Sequence, residues 1–218
     1  MVKVERSQPA PASLAEEARK ADGACNGKDV IERLASDFND KCYICELKGL
    51  QDPNVEHLLP HEQGKRHDLK FDWDNLFWSC SHCNQVKNKS RYAAGIIDCC
   101  KRDPETAIHF GMKGSELDIR PIQLDDEAKR TAELVFEVFN TRKTGMRTQA
   151  SSHRMRELQK EMNVLFTELQ TYGENERSAW TKMRLSALLR RESAFAAFKR
   201  CYVRQHLNEY PALAEYVA

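Results

Sequence analysis

Apolar residues recur at helical spacing through the second half of the chain. The clearest series runs at intervals of three and four residues over about two heptads, which places its members on one face of a helix. Its members are Met155, Leu158, Met162, Leu165 and Leu169. The series predicts a long helix that ends near Gly173 and whose apolar face packs against other helices or against a partner.

Similar spacing predicts further helices on both sides of this one. Asp125 and Asp126 favour a helix start, and apolar residues at helical spacing follow them. These residues are Ala132, Val135, Phe136 and Phe139. Apolar faces also occur within 29–39, 180–188 and 195–202. The pattern therefore predicts one short helix near the N-terminus and a helical region toward the C-terminus.

The first half of the chain has a different pattern. Residues 42–100 are dense in Cys, His, Trp and Asn without sustained periodicity, which predicts a compact irregular module. The expected fold class is α+β and mostly α. We expect an N-terminal arm at 1–28, loose or with a short helix, and the module at 29–100. Connecting loops with short strands are expected at 101–124 and a helical domain at 125–218.

Composition narrows the class of protein. Charged residues make up 31% of the chain and its mean hydropathy is −0.68, values typical of a soluble protein. No apolar run approaches the roughly 20 residues that a membrane helix needs. The N-terminal stretch lacks the apolar core of a signal peptide. We therefore expect a cytoplasmic protein that does not bind membranes.

Charge is distributed unevenly although the net charge is only +1. Residues 104–140 carry 4 Lys and Arg against 8 Asp and Glu, whereas residues 141–205 carry 14 against 6. A basic C-terminal half could contact a polyanion. Solvated helix faces explain the same excess, so charge alone does not identify a partner.

Four of the eight cysteines form two spaced pairs, Cys42-x-x-Cys45 and Cys80-x-x-Cys83. Each pair can offer two thiolates to one tetrahedral ion, so together they predict a four-cysteine zinc site. Zinc would stabilise a segment that lacks continuous apolar residues. In a cytoplasmic chain, this spacing favours a metal over disulfides.

The segment between the two cysteine pairs, and the residues directly after the second pair, carry polar side chains that a zinc scaffold does not need. Glu56 and His57 interrupt the apolar run VEHLLP, and Asn75 lies in FDWDNLFWSC. Asn84 directly follows the last cysteine, and Lys87 comes three residues later. Alone, the Glu-His pair could be a buried polar contact. Within the cysteine framework, it favours catalysis.

This set of residues resembles the HNH nucleases, also called the ββα-metal or His-Me finger family. The family pattern is Cys-x-x-Cys, then Asp/Glu-His on a strand, then Asn-Leu before a second cysteine pair, and His or Asn directly after it on a helix. The resemblance covers about residues 42–91. Asn84 stands where many members have His, which implies a variant site. The likeness implies a zinc-stapled module that hydrolyses phosphodiester bonds of nucleic acid.

The resemblance also implies a role for each residue. His57 would be the general base, since an imidazole with a pKa of about 6.5 can take a proton from water. Asn75 would accept a hydrogen bond that fixes the imidazole tautomer. Glu56 and Asn84 would be the oxygen ligands of a catalytic Mg²⁺ or Mn²⁺. Lys87, one helical turn after Asn84, would contact a phosphate.

A looser likeness covers most of the chain. FDWDNLFWSCSHCN, IIDCCKRDPE and SAFAAFKRCYVR are similar to the HNH nuclease subunits of Septu anti-phage systems and of their retron-associated relatives. DCCKRDPE departs from the motif expected there. This likeness implies an ABC/SMC-like ATPase partner that docks on the Met and Phe residues of the helical domain. It also implies a nuclease that is weak or silent alone.

Two other functions stay open. The same site could cleave tRNA or structured RNA, because activation of water does not need the 2′-OH and the substrate is selected outside the module. DNA is the favoured substrate. Alternatively, the module could be a non-catalytic zinc adaptor. Glu56, His57 and Asn84 argue against an adaptor, since a scaffold needs no such set.

Overall fold

The computed structural model describes residues 1–143, 145–174 and 178–218. Its helices are α1 (Ala12–Glu17), α2 (Lys28–Asp37), α3 (His67–Lys70), α4 (Ser81–Lys87), α5 (Asp126–Asn140), α6 (Gln149–Glu174), α7 (Ala179–Leu189), α8 (Ala196–Gln205) and α9 (Ala214–Val217). Its strands are β1 (Pro53–His57), β2 (Leu76–Cys80), β3 (Ile108–Lys113), β4 (Glu116–Pro121), β5 (Arg142–Lys143) and β6 (Met146–Arg147). Positions 144 and 175–177 of the predicted helical domain lie outside the described residues. The mostly α, α+β class is confirmed.

A ββα unit lies at the centre of the module. Strands β1 and β2 are antiparallel, with Val55 opposite Trp78 and His57 opposite Leu76. Strand β2 is buried along its whole length, as expected of the continuous apolar run LFWSC. Helix α4 begins directly after β2. This connection brings the end of β1 beside α4.

The start of the chain packs against this unit. Met1 is fully buried, and Val4 N donates a hydrogen bond to the carbonyl oxygen of Cys99 at 3.0 Å. The Arg6 guanidinium donates to the carbonyl oxygens of Trp73 and Leu76, each at 2.8 Å. The expectation of a loose arm is therefore wrong for this stretch, because a buried methionine and an arginine hold it in place. The short helix of the alternative expectation is α1.

The predicted connecting region contains a hairpin that lies against the helices. Strands β3 and β4 pair from Ile108 opposite Pro121 to Lys113 opposite Glu116. The Phe110 ring meets the ring of Phe198 on α8 edge to face, with the ring centroids 5.7 Å apart. The short strands expected here are present, and they form part of the packed core rather than a free linker.

The apolar face predicted for α6 is buried at each predicted position. Phe195 and Phe198 are also buried, whereas Phe136 of α5 is exposed. The expectation that the Met and Phe series forms a docking surface is therefore wrong for most of its members. Their side chains are already covered by neighbouring helices of the same chain.

The first cysteine pair and the last helices are joined by buried polar contacts. Glu46, which directly follows Cys45, accepts the backbone N–H of Ala197 at 3.0 Å on its carboxylate. Its carbonyl oxygen accepts from Phe195 N at 3.3 Å. The Lys41 ammonium donates to the carbonyl oxygen of Ser193 at 3.0 Å. Glu46 therefore caps the N-terminus of α8, where a carboxylate is favoured.

Much of the basic charge of the C-terminal half is paired internally. The buried Glu105 carboxylate accepts from Arg200 Nε at 2.9 Å and lies 2.8 Å from Arg204 Nη2. The fully buried Lys199 ammonium donates to Glu161 at 2.7 Å. These three cations hold helices together, so this part of the charge excess is used within the fold. Among the residues that the structure describes, no helix combines the length and apolar character needed to cross a bilayer.

Candidate active site

Four cysteine sulfurs converge at the N-terminal end of α4. The sulfurs of Cys42, Cys45, Cys80 and Cys83 all lie within 4.8 Å of one another, and all four residues are buried. One pair lies in a tight turn, and Cys83 N donates to Cys80 Sγ at 3.5 Å at the start of α4. Four thiolates at one point form the donor set of structural zinc. The predicted zinc residues therefore fit this ion.

A buried arginine from the distant α6 reaches the same cluster. Arg154 Nη2 lies 2.7 Å from Cys80 Sγ, and the arginine is buried. Hydrogen bonds from the neighbouring cysteines, together with the Arg154 guanidinium, hold the pKa of Cys80 far below its ordinary value. Four thiolates around a divalent ion carry a net charge of about −2, which a guanidinium partly offsets. Sequence reasoning missed Arg154, because 73 intervening residues separate it from Cys80.

A cleft of about 520 Å³ opens at the other end of α4. Of the predicted site residues outside the cysteine cluster, it brings together Glu56, His57, Asn84 and Lys87. The end of β1 supplies the first two, and α4 supplies the others. Asn75 does not line this cleft. Four side chains from two segments of sequence thus share one concave surface, as expected of an active site.

The hydrogen bond of the His57 imidazole determines its tautomer. Nε2 lies 3.0 Å from the carbonyl oxygen of Lys70, and the Cys25 sulfur lies 3.7 Å from the same nitrogen. Because a carbonyl oxygen can only accept, this network assigns the proton to Nε2 and leaves the lone pair on Nδ1. Burial lowers the pKa of His57. The neutral imidazole can therefore act as a base through Nδ1.

Asn75 acts one step away from the imidazole. Its side-chain amide donates to the carbonyl oxygens of Leu59 at 3.0 Å and Leu69 at 2.9 Å, and its Oδ1 accepts from Leu59 N at 2.8 Å. In place of the predicted acceptor on Asn75, the carbonyl oxygen of Lys70 accepts the hydrogen bond from His57 Nε2. Because Leu69 precedes Lys70, Asn75 anchors the backbone that presents this carbonyl. Its contacts therefore support the stretch of backbone that His57 contacts.

Glu56 and Lys87 form a buried ion pair on the wall of the cleft. Lys87 Nζ lies 2.6 Å from Glu56 Oε1, and it also donates to the carbonyl oxygens of His57 and Leu58 at 2.9 Å each. The Tyr43 hydroxyl donates to the other Glu56 oxygen. Burial raises the pKa of Glu56, against the opposing effects of Lys87 and Tyr43. The predicted phosphate contact of Lys87 is not what this arrangement offers, because the ammonium points inward.

The match to a known family agrees with this geometry. Residues 42–90 match the HNH endonuclease family model. This segment contains both cysteine pairs, the ββα unit and the residues that the cleft brings together. No curated protein matches the chain. The HNH assignment therefore applies to this domain, and it indicates nuclease activity and the use of a divalent metal.

The polar residues of the HNH domain fit a divalent ion only in part. Asn84 is half-buried in the cleft, and its Oδ1 has a long contact of 3.4 Å with Asn88 Nδ2. Glu56 and Asn84 together form a hard oxygen donor set of the kind that Mg²⁺ and Mn²⁺ prefer. Both Glu56 oxygens, however, already accept hydrogen bonds from Lys87 and Tyr43. The Asn84 amide oxygen can therefore bind an ion, whereas the Glu56 carboxylate would first have to break its ion pair with Lys87.

Three residues that contribute to the HNH domain escape motif reasoning. Tyr43 lies between Cys42 and Cys45, Lys70 contributes only its backbone carbonyl to the site, and Arg154 comes from α6. For Tyr43, the sequence offers one signal, a large aromatic residue with a hydroxyl group between two closely spaced cysteines. A backbone carbonyl leaves no trace in residue type, so no sequence signal identifies Lys70.

Proposed function

We propose that this chain is a metal-dependent HNH endonuclease that hydrolyses phosphodiester bonds of nucleic acid, with DNA as the favoured substrate. One observation carries the proposal. The His57 imidazole lines an open cleft with Nε2 bound to the Lys70 carbonyl oxygen, so that Nδ1 can accept a proton. The HNH match over residues 42–90 supports the same activity.

In this proposal, His57 Nδ1 takes the proton of the attacking water. The carbonyl of Lys70 keeps the other ring nitrogen protonated and stabilises the imidazolium that forms. Asn84 and Glu56 would hold a Mg²⁺ or Mn²⁺ ion, which supplies charge stabilisation to the phosphate oxygens when bound. Asn75 keeps the backbone at Leu69 and Lys70 in place, so the base stays oriented.

The biological setting belongs to the same proposal. The looser likeness to Septu nuclease subunits supports a role as the effector of an anti-phage complex with an ABC/SMC-like ATPase. With most of the Met and Phe series buried, the apolar surface left for such a partner includes Trp180 and Met183 on α7, which are 65% and 53% exposed. They lie three residues apart and share one helix face.

Two alternatives remain within reach of the same experiment. A ribonuclease that acts on tRNA or structured RNA would use the same base and the same cleft. The closed pair of Lys87 and Glu56 favours the other alternative, a zinc adaptor that cuts nothing, because it occupies a carboxylate that the nuclease would need.

The test is cleavage of plasmid DNA and of total tRNA by the purified chain, with Mg²⁺ or Mn²⁺ and with EDTA. We expect cleavage that needs the metal and falls by about 10²–10⁴-fold in His57→Ala, the contribution typical of a general base. His67→Ala is the matched control, because His67 is an exposed histidine at the start of α3 and does not line the cleft.

The pattern of results separates the candidates. Cleavage of tRNA alone would replace the DNase by the ribonuclease. Equal rates for His57→Ala and His67→Ala would reject His57 as the base. If the zinc-loaded chain cuts neither substrate, even after the ATPase partner is added, the adaptor is the correct function.

A further inference from the structure

A carboxylate from outside the HNH domain lies at the rim of the cleft. Glu137 of α5 accepts from the side chains of Lys89 and Arg91, and from the Tyr92 hydroxyl at 2.7 Å. Lys89 and Tyr92 are themselves part of the cleft lining. Two cations and a hydroxyl from one short segment thus converge on a single anion.

The two cations are held at the surface rather than in the core. The side chains of Lys89 and Arg91 are 45% and 53% exposed, whereas that of Glu137 is 18% exposed. Burial would raise the pKa of Glu137, but hydrogen bonds from Lys89 and Tyr92 outweigh it, so the pKa is lowered and the group is charged. Solvent reaches both cations, so their ion pairs with Glu137 are weaker than a fully buried pair would be. Another anion can therefore replace this carboxylate at low cost.

The donor set suits a phosphate group as well as a carboxylate. A phosphodiester presents two charged oxygens at a spacing that an arginine fork and a neighbouring ammonium can bind. The inner lysine of the cleft does not compete for this role, because the Lys87 ammonium is buried among Glu56, His57 and Leu58 oxygens. Lys89 and Arg91 are therefore the cations beside the cleft that the backbone of a strand could reach.

We propose that Lys89, Arg91 and Tyr92 form a phosphate-binding subsite for the nucleic-acid backbone, and that Glu137 occupies this subsite until substrate replaces it. The inference rests on the proposed nuclease function and adds a binding subsite with a built-in competitor. A phosphate of the bound strand contacts the three donors, and the displaced carboxylate is left to solvent. Glu137 thus reduces affinity for nucleic acid without touching the reacting atoms.

Helix α5 does not depend on Glu137 for its position. His82 Nε2 contacts the carbonyl oxygen of Val138 at 2.8 Å. Ile97 N donates to the Thr131 hydroxyl at 2.9 Å. These contacts lie on both sides of Glu137 along the helix. Removal of the carboxylate charge is therefore expected to free the cations and leave the helix in place.

The experiment measures binding of a fluorescent DNA duplex by anisotropy, with Mg²⁺ omitted and every variant carrying His57→Ala so that no cleavage occurs. Glu137→Gln is compared with Glu133→Gln, an exposed residue one turn earlier on α5 with the same change of charge. Salt is varied from about 50 mM to about 200 mM, because each phosphate contact adds about 0.9 to the slope of log K against log salt.

We expect Glu137→Gln to bind the duplex several-fold more tightly at low salt, with a slope steeper by about 0.9, the contribution of one phosphate contact. Glu133→Gln should shift affinity little and leave the slope unchanged. Adding Arg91→Met to Glu137→Gln should remove a large part of the gain in affinity, because the phosphate loses one of its two cations. Equal binding and slope for Glu137→Gln and Glu133→Gln would overturn the proposal, as would weaker binding by Glu137→Gln. Because cleavage is measured separately with His57 intact, failure of the subsite is distinct from failure of the nuclease.

Discussion

The two ends of helix α4 carry sites of opposite character. At the N-terminal end, four sulfurs are enclosed and a buried arginine from α6 completes their surroundings. Toward the C-terminal end, Asn84 lines an open cleft of about 520 Å³, which is also lined by His57, whose Nδ1 carries a free lone pair. Less than two turns of helix separate a closed site from an open one.

This difference shows how one short helix can serve stability and chemistry together. The cysteine cluster fixes the start of α4, and Arg154 of α6 partly offsets the negative charge of its thiolates. The helix then presents side chains to the cleft from a rigid base, which is what a precise active site requires. The closed end should therefore respond to mutation mainly in stability, and the open end mainly in activity.

The largest expected effect is the loss of the metal from the closed end. Cys83→Ser removes one of four thiolates, and structural zinc contributes a binding free energy on the order of 10 kcal/mol, as large as the stability of a typical domain. We expect the variant to lose zinc, measured by elemental analysis, and to lose its cooperative thermal transition. Cys100→Ser, a cysteine outside the cluster, should retain both. Full zinc content in Cys83→Ser would contradict the assignment.

A smaller effect is expected at the support of the histidine. Asn75→Ala removes three hydrogen bonds to the backbone of Leu59 and Leu69. Buried backbone groups without partners should lower the free energy of unfolding by about 2 kcal/mol, measured in urea. Activity should fall as well, because the Lys70 carbonyl loses its anchor. Asn26→Ala, an exposed asparagine, should change neither quantity. A variant with normal stability but no activity would place Asn75 in direct contact with the reaction.

Arg154 gives an effect of similar size that belongs to the closed end alone. Arg154→Met keeps most of the side-chain volume but removes the donor to Cys80 Sγ. Groups that support metal ligands typically contribute 10-fold to 100-fold to metal affinity. We expect zinc affinity, measured by competition with a chelator, to fall within about that range. Arg156→Met on the exposed face of α6 should leave it unchanged, and an equal loss in both variants would deny Arg154 a specific role.

The smallest expected effect is the change of the cleavage rate with pH. The base must be neutral to accept a proton, and burial lowers the pKa of His57 below its ordinary value of about 6.5. The rate of cleavage should therefore decline as pH falls, with its half-maximum below pH 6.5. A pH–rate profile from about pH 5 to about pH 8 measures this limb. Zinc content at each pH is the control, and a half-maximum above pH 6.5 would contradict a buried, neutral base.

The two ends also differ in how far the sequence alone could predict them. The spacing of Cys42, Cys45, Cys80 and Cys83 predicts the closed site, because two such cysteine pairs are the typical donor set of structural zinc. The motif predicts which side chains share the cleft. It does not predict the Lys70 carbonyl or the orientation of the Lys87 ammonium, since both depend on how the loop after β1 folds.

Long-range partners set the same limit elsewhere in the molecule. The apolar face of α6 could be predicted from the sequence, because apolar residues at helical spacing lie on one face, and that face is buried. The contacts of Arg154 and Glu137 could not be predicted in this way, because their partners, Cys80 and Lys89 respectively, are distant in sequence. Such pairings arise from tertiary packing, which no local pattern encodes. The contact of Glu46 with α8 escaped prediction for the same reason.

That last contact limits how modules of this kind could be exchanged between proteins. If residues 42–90 were recombined into another host, Glu46 would bring a buried carboxylate without the helix N-terminus that it caps here. An uncompensated buried charge costs several kcal/mol. A viable chimaera would therefore have to carry the start of α8 with it, or replace Glu46 with a neutral residue. Inheritance of the HNH segment is thus tied to inheritance of a helix more than 100 residues away.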